Sequence, residues 1–172
     1  MKRIGAYLLI AAILFSFAGC GRNAQSDGDR VQFYYLRSTD AYIYGASDGV
    51  ITSETRDSSA QSVGASYLLS LYLMGPLDES LRSPFPEGSA ITNLVHKGNE
   101  LSVVINSNFS TLKDMDQTLA CVCLAKTCVS ITGAEVIHIY VESFSGQVSH
   151  IETITLDSLL LKDSIISTEN PS

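Results

Sequence analysis

"MGPLDESLRSPFPEG", Met74 to Gly88, gathers three of the chain's four prolines and two of its twelve glycines into one connection. The hydrophobic period changes across it. Upstream, Ala60, Val63, Tyr67, Leu71 and Met74 recur at helical spacing and predict a helix from Ser59, capped by Asp57 or Ser58. Gly75 and Pro76 end it, because glycine accepts the left-handed conformation and proline cannot continue the ladder. Beyond it, Leu77 and Leu81 can pack a short turn, and Pro84 and Pro86 force Ser83 and Phe85 into extended backbone. Two accounts of the prolines stand: a rigid crossover from helix to sheet, or a docking loop centred on Phe85.

Downstream the pattern is that of strands. "SAITNLVH" and "ELSVVIN" flank the turn "KGN", with Leu101, Val103 and Ile105 on one face. A second helix is predicted from Thr111 to about Ile131, with Asp114 and Asp116 near its start, Lys126 near its end and Gly133 beyond. "EVIHIYVES" puts Ile137, Ile139 and Val141 on one face and His138, Tyr140 and Glu142 on the other, and "QVSHIETITL" returns across "FSG" as a hairpin. Nearer the start, "VQFYYL" and "AYIY" predict a hairpin over 31–44, followed by the extended piece "GVITSETR". These elements predict an α+β fold.

The first twenty residues predict an address. Lys2 and Arg3 precede an uncharged, mainly apolar run from Ile4 to Phe17, and small residues lead to Cys20. The run is shorter than the ~20 residues of a spanning helix, and the pattern is that of a secretory signal. "FAGC" resembles the bacterial lipobox, with Phe17 in place of the usual leucine. That resemblance implies a diacylglyceryl group on Cys20 as the mature N-terminus; two or three acyl chains, at ~0.8 kcal/mol per buried methylene, would hold the body at the outer side of a membrane. The expected division is residues 1–19 as signal peptide, 20–30 as flexible tether, 31–156 as the folded domain and 157–172 as tail.

Composition narrows the partners. Eleven basic residues less Lys2 and Arg3 leave nine against eighteen acidic ones. So acidic a body argues against nucleic acid, which needs clustered Lys and Arg, and against adsorption to anionic headgroups.

The order helix, "MGP", "PFPEG", hairpin, "VINSNFS", helix with "AKT", then "AEVIHIYVE" is similar to that of the GerMN domain, a family named for a bacterial sporulation and germination protein. Gly75, Pro76, Pro86, Gly88, Phe109 and Thr127 fall on its matching positions, over about Val31 to Ser143. Asn106 stands where the family commonly has an acidic residue, and one copy of the domain is present where the eponymous protein has two. The resemblance implies one compact α+β domain, two helices on a mainly antiparallel sheet, related to the ring-building modules of secretion and sporulation complexes. It also implies a cell-envelope, sporulation or germination role without catalytic residues or cofactor. The partner would be an envelope or sporulation protein, peptidoglycan, or a second copy of the chain.

Catalytic and metal chemistry find little in the residues. Were the segment helical, Cys121 and Cys128 would share a face about 10.5 Å apart along the axis, too far for one zinc or a disulfide, and Cys123 points elsewhere. Buried, reduced, space-filling thiols are the expectation, with oxidation or intermolecular pairing as the alternative. Asp114 and Asp116 point to different sides of their helix and suit its dipole better than acid–base work. No G-x-S-x-G or HExxH pattern occurs. The alternative to a contact module is a ligand-binding or enzymatic surface on the His138, Tyr140 and Glu142 face. "LACVCLA", Leu119 to Ala125, is apolar on all sides of a helix, so either a second subunit or partner covers part of it at Leu124, or the C-terminal segment folds back over it.

Overall fold

The computed structural model describes residues 30–38, 49–57 and 64–159. Strand β1 (Arg30–Arg37) turns Val31, Phe33 and Tyr35 into the core. It pairs antiparallel with β2 (Ile51–Asp57), Phe33 opposite Glu54. β2 covers one edge of β1 from Arg30 to Leu36; "AYIY", expected as the hairpin partner of β1, falls at residues 41–44, outside the described residues. A two-residue strand, β3 (Leu81–Arg82), pairs with the far end of β1 and completes a three-stranded sheet in the order β2-β1-β3.

Helix α1 (Ala65–Leu73) starts later than its apolar spacing predicted, with Gly64 as N-cap. Asp57, expected to cap it, is the last residue of β2, opposite Arg30; Ser58 lies outside the described residues. The helix ends as predicted. Gly75 has φ +102°, a backbone that side chains disfavour, and Pro76 follows. The loop beyond is clamped to β2: Arg56 Nη2 donates to the Gly75 carbonyl at 2.7 Å, and Glu54 Oε2 accepts the amides of Leu77 and Asp78 at 3.0 and 3.2 Å. Arg56 and Glu54 are themselves paired, Nε to Oε1 at 2.6 Å. The breakers thus sit in an ordered crossover whose backbone groups are satisfied by charged side chains.

The second half of that crossover fills the core. Phe85 lies 5.4 Å from Tyr72, ring centre to ring centre, nearly perpendicular, and 6.2 Å from Phe109; Tyr72 also contacts Phe33 and Tyr35. Phe85 and Phe109 are both buried. The turn after Phe85 closes from the Ser89 amide to the Pro86 carbonyl, with Gly88 at φ +76°. A Cβ on Gly88 would stand 2.7 Å from Asn108 Nδ2, which donates to the Glu87 carbonyl. Asn106 Nδ2 donates to the Gly88 carbonyl at 2.8 Å, a bond an acidic side chain could not donate.

Four strands make the second sheet, in the order β4-β5-β6-β7. The predicted hairpin is β4 (Ile91–Lys97) with β5 (Glu100–Ile105), and the predicted C-terminal hairpin is β6 (Val136–Glu142) with β7 (Val148–Thr155). Between β5 and β6 the pairing is parallel, which requires a crossover. That crossover is a 3-10 turn (Ser107–Thr111) and helix α2 (Asp114–Thr132), closed by Gly133. The predicted start of this helix at Thr111 therefore falls in the 3-10 turn.

The fold is α+β, with two sheets where one was expected. Helix α2 is packed against β1 of the first sheet and against β6 and β7 of the second. Sheet material on two sides explains why every residue from Ala120 to Ala125 is buried. Leu159, in the segment expected as tail, is buried too.

Candidate functional site

The second sheet has two unlike faces. Leu101, Val103, Ile105, Ile137, Ile139 and Val141 point inward and are buried. The opposite face carries His138, Tyr140 and Glu142, all half-buried, as their alternation predicted. Register adds residues that the sequence reading missed: Thr153 stands opposite His138, and His150 opposite Tyr140.

Positions 150 and 153 differ by an odd number, so strict alternation would send them to opposite faces. A β-bulge resolves this. The ladder passes from Ile139–Glu152 to Tyr140–His150, leaving Ile151 as the extra residue, and the bulge returns His150 to the face of Thr153. No composition signal marks that position, which is why the pair was not legible.

The side chains form one polar string. Thr153 Oγ1 lies 3.0 Å from His138 Nδ1 and 2.8 Å from His150 Nε2. His138 Nε2 faces Glu100 Oε2 at 3.6 Å, across the parallel pairing. The His150 ring meets Tyr140 edge-on at 5.3 Å. A hydroxyl has one proton to give, so with both rings neutral one imidazole accepts it while the other donates an N–H to the oxygen. The string can therefore hold a proton in either of two arrangements, or offer its imidazoles and hydroxyl to a polar ligand lying flat on the sheet. Glu142 takes its place on the same face, further along β6.

The other expected site residues do structural work. Thr127 has no exposed surface, and its Oγ1 accepts the Tyr34 amide at 3.0 Å; Ser130 Oγ, one turn on, accepts that of Gln32 at 2.8 Å. Those amides lie on the β1 edge that β3 covers only at Leu36 and Arg37, so helix hydroxyls complete the ladder. Tyr72 Oη donates to the Tyr34 carbonyl on the same edge. Gly75, Pro76, Pro86, Gly88 and Phe109 shape the crossover and its aromatic packing, as described above.

Two expectations are corrected. Phe85 and Leu124 were to offer partner contacts, but Phe85 is enclosed by Tyr72 and Phe109, and Leu124 is fully buried in α2. Neither presents a surface to a partner. Leu159 is buried in the core, and α2 packs on β1, β6 and β7, the last of which opens the C-terminal segment; residues 160–172 lie outside the described residues.

Cys121, Cys123 and Cys128 are free and buried. Burial pushes the thiols of Cys121 and Cys123 up to about 12 and that of Cys128 further still, so all three are protonated and poor nucleophiles at neutral pH. Among the described residues no three His, Cys, Asp or Glu side chains converge to hold a metal ion. Nor is any helix among them long and apolar enough to cross a membrane; Cys20 and the run before it lie outside the described residues. No known family model, curated protein or solved structure matches the chain.

Proposed function

We propose that the chain is a membrane-anchored extracytoplasmic lipoprotein whose body is a GerMN-like contact module of the cell envelope, sporulation or germination, without catalytic residues of its own. The observation that carries this reading is the uncharged run from Ile4 to Phe17 followed by Ala18, Gly19 and Cys20. Support comes also from the motif positions, whose side chains and backbone hold the crossover and the β1 edge and do not converge on a reacting centre. An acidic body on a lipid tether recognises an envelope or sporulation protein in preference to nucleic acid; peptidoglycan and a second copy are the other partners of this class. Feeding cells labelled palmitate should mark the wild-type chain, and Cys20→Ser should abolish the label and release the body from the membrane fraction. An unlabelled wild-type chain overturns the reading.

A second reading rests on the string Glu100–His138–Thr153–His150: a ligand-binding or enzymatic surface on the His138, Tyr140 and Glu142 face. Replacing these three by alanine should then abolish the cellular phenotype while the melting transition stays within a few degrees. An unchanged phenotype removes it.

A further inference from the structure

Three strands leave a long edge unpaired among the described residues: β2 in the first sheet, β4 and β7 in the second. Exposed edges invite pairing, and proteins guard them with charges and bulges. β2 carries Glu54, Arg56 and Asp57; β7 carries Glu152 and the bulge at Ile151. β4 carries Lys97 at its end and an irregularity at Thr92, whose hydroxyl reaches the Val104 carbonyl at 3.4 Å, but its five residues from Ile91 through Val95 are uncharged and Val95 is half exposed.

Beside this uncharged stretch lies a groove of about 450 Å³, within the range of ligand sites. Ser66, Ser70 and Leu73, spaced four and three apart on one face of α1, make one wall, and the chain from Ser89 to Leu94 makes the other. No lining residue is charged, and α1 has no charged residue anywhere. Small hydroxyls alternate with Leu73, Ile91 and Leu94. The Ser70 hydroxyl is satisfied by the Tyr67 carbonyl; the Ser89 hydroxyl has no hydrogen-bond partner among the described residues, but it is shut off from solvent and so from the groove.

We infer that this groove takes an extended, uncharged segment of a partner polypeptide, added to β4 as a further strand. Main-chain donors and acceptors on the β4 edge supply hydrogen bonds without regard to side chain, and the neutral, small-residue walls select against charge. At ~3.3 Å per residue, the seven residues of β4 can align with a similar length of partner. The inference deepens the contact-module reading and rests on it for the idea that the body works by binding. Binding in solution needs no lipid, so Cys20→Ser should leave it intact, and the two readings fail separately.

The test uses the full chain and a fluorescent hexapeptide of alternating threonine and valine, with a lysine-for-threonine counterpart. The neutral peptide should bind saturably and at least tenfold tighter than the charged one. N-methylation of every second amide should weaken it at least tenfold for one set of amides and less than twofold for the other. Ser70→Tyr, which fills the groove, should weaken binding at least tenfold with the melting temperature unchanged. Amide exchange on wild-type protein, which depends on no variant, should slow across Ile91–Lys97 when peptide is added. Absence of binding at millimolar peptide, protection on β2 or β7 instead, or equal loss from both N-methylated sets overturns the inference. Sedimentation showing that β4 is already paired with a second copy would overturn it as well, in favour of self-association.

Discussion

Thr127 is fully enclosed in the core, and the amide it accepts lies 93 positions away at Tyr34. A buried N–H without an acceptor costs about 1–3 kcal/mol, more than the bond itself contributes net. Thr127→Val keeps shape and volume but removes the acceptor, so it should destabilise the protein by about that amount; Thr127→Ser, which keeps the oxygen, should recover more than half. Urea midpoints of the two variants check this, together with exchange of the Tyr34 amide, which should accelerate only in the valine variant. Equal midpoints for threonine and valine would show that Tyr34 has found another acceptor. The sequence marks Thr127 only through a resemblance, and its task is not legible there. Periodicity places a residue on a helix face and says nothing about which strand edge that face will meet.

Helix α2 shows the same limit at the next scale. Its all-round apolar block predicts burial on every side, yet the sequence leaves open what covers it, because helix–sheet contacts join segments far apart in the chain. Two sheets supply the cover, and one of them depends on the parallel step from β5 to β6, which a strand pattern alone cannot distinguish from an antiparallel one. The hairpins β4–β5 and β6–β7 were legible because short turns fix their pairing locally. The bulge at Ile151 was not, and with it went the meeting of His138, Thr153 and His150. Burial of α2 has a measurable consequence through its thiols. In the unfolded chain a cysteine ionises near 8.5; in the fold, desolvation pushes Cys121 and Cys123 up to about 12 and Cys128 higher. Above pH ~8.5 the unfolded state therefore holds fewer protons than the native one, and stability falls as pH rises, by about 1.4 kcal/mol per pH unit for each thiol. Urea unfolding at pH 7.5 and 9.5 should show a loss of about 4 kcal/mol from the three together. A Cys121→Ala, Cys123→Ala double variant, whatever its stability at pH 7.5, should lose only about a third as much between the two. Tyr35 and Tyr72, also raised by burial, add to the slope only above pH ~10.

For the whole molecule the question is which surface meets a partner. Two candidates suggested by the sequence, Phe85 and Leu124, are core residues, and truncating either to alanine should cost several kcal/mol, about 3–5 for Phe85, by leaving a cavity. A loss of function in such variants would report unfolding, not a lost contact. Exposed apolar side chains lie elsewhere: Phe144 in the β6–β7 turn is 94% exposed, and Met74 and Leu77, on either side of Gly75–Pro76, are 82% and 80% exposed. The loop that carries Met74 and Leu77 is held by Arg56 and Glu54, so these two side chains project from fixed backbone and would lose little conformational freedom on contact. Photocrosslinkers at Met74, Val95 and Phe144 in intact cells should capture a protein or wall partner from at least one position, and a crosslinker at Leu124 should capture none. Silence from all three exposed positions, in vegetative and sporulating cells alike, would leave a tethered body with no partner for its surface and remove the contact-module reading. Capture from Val95 alone would separate the β4 edge from the loop and the turn, because Val95 is the one of the three that lies on that strand.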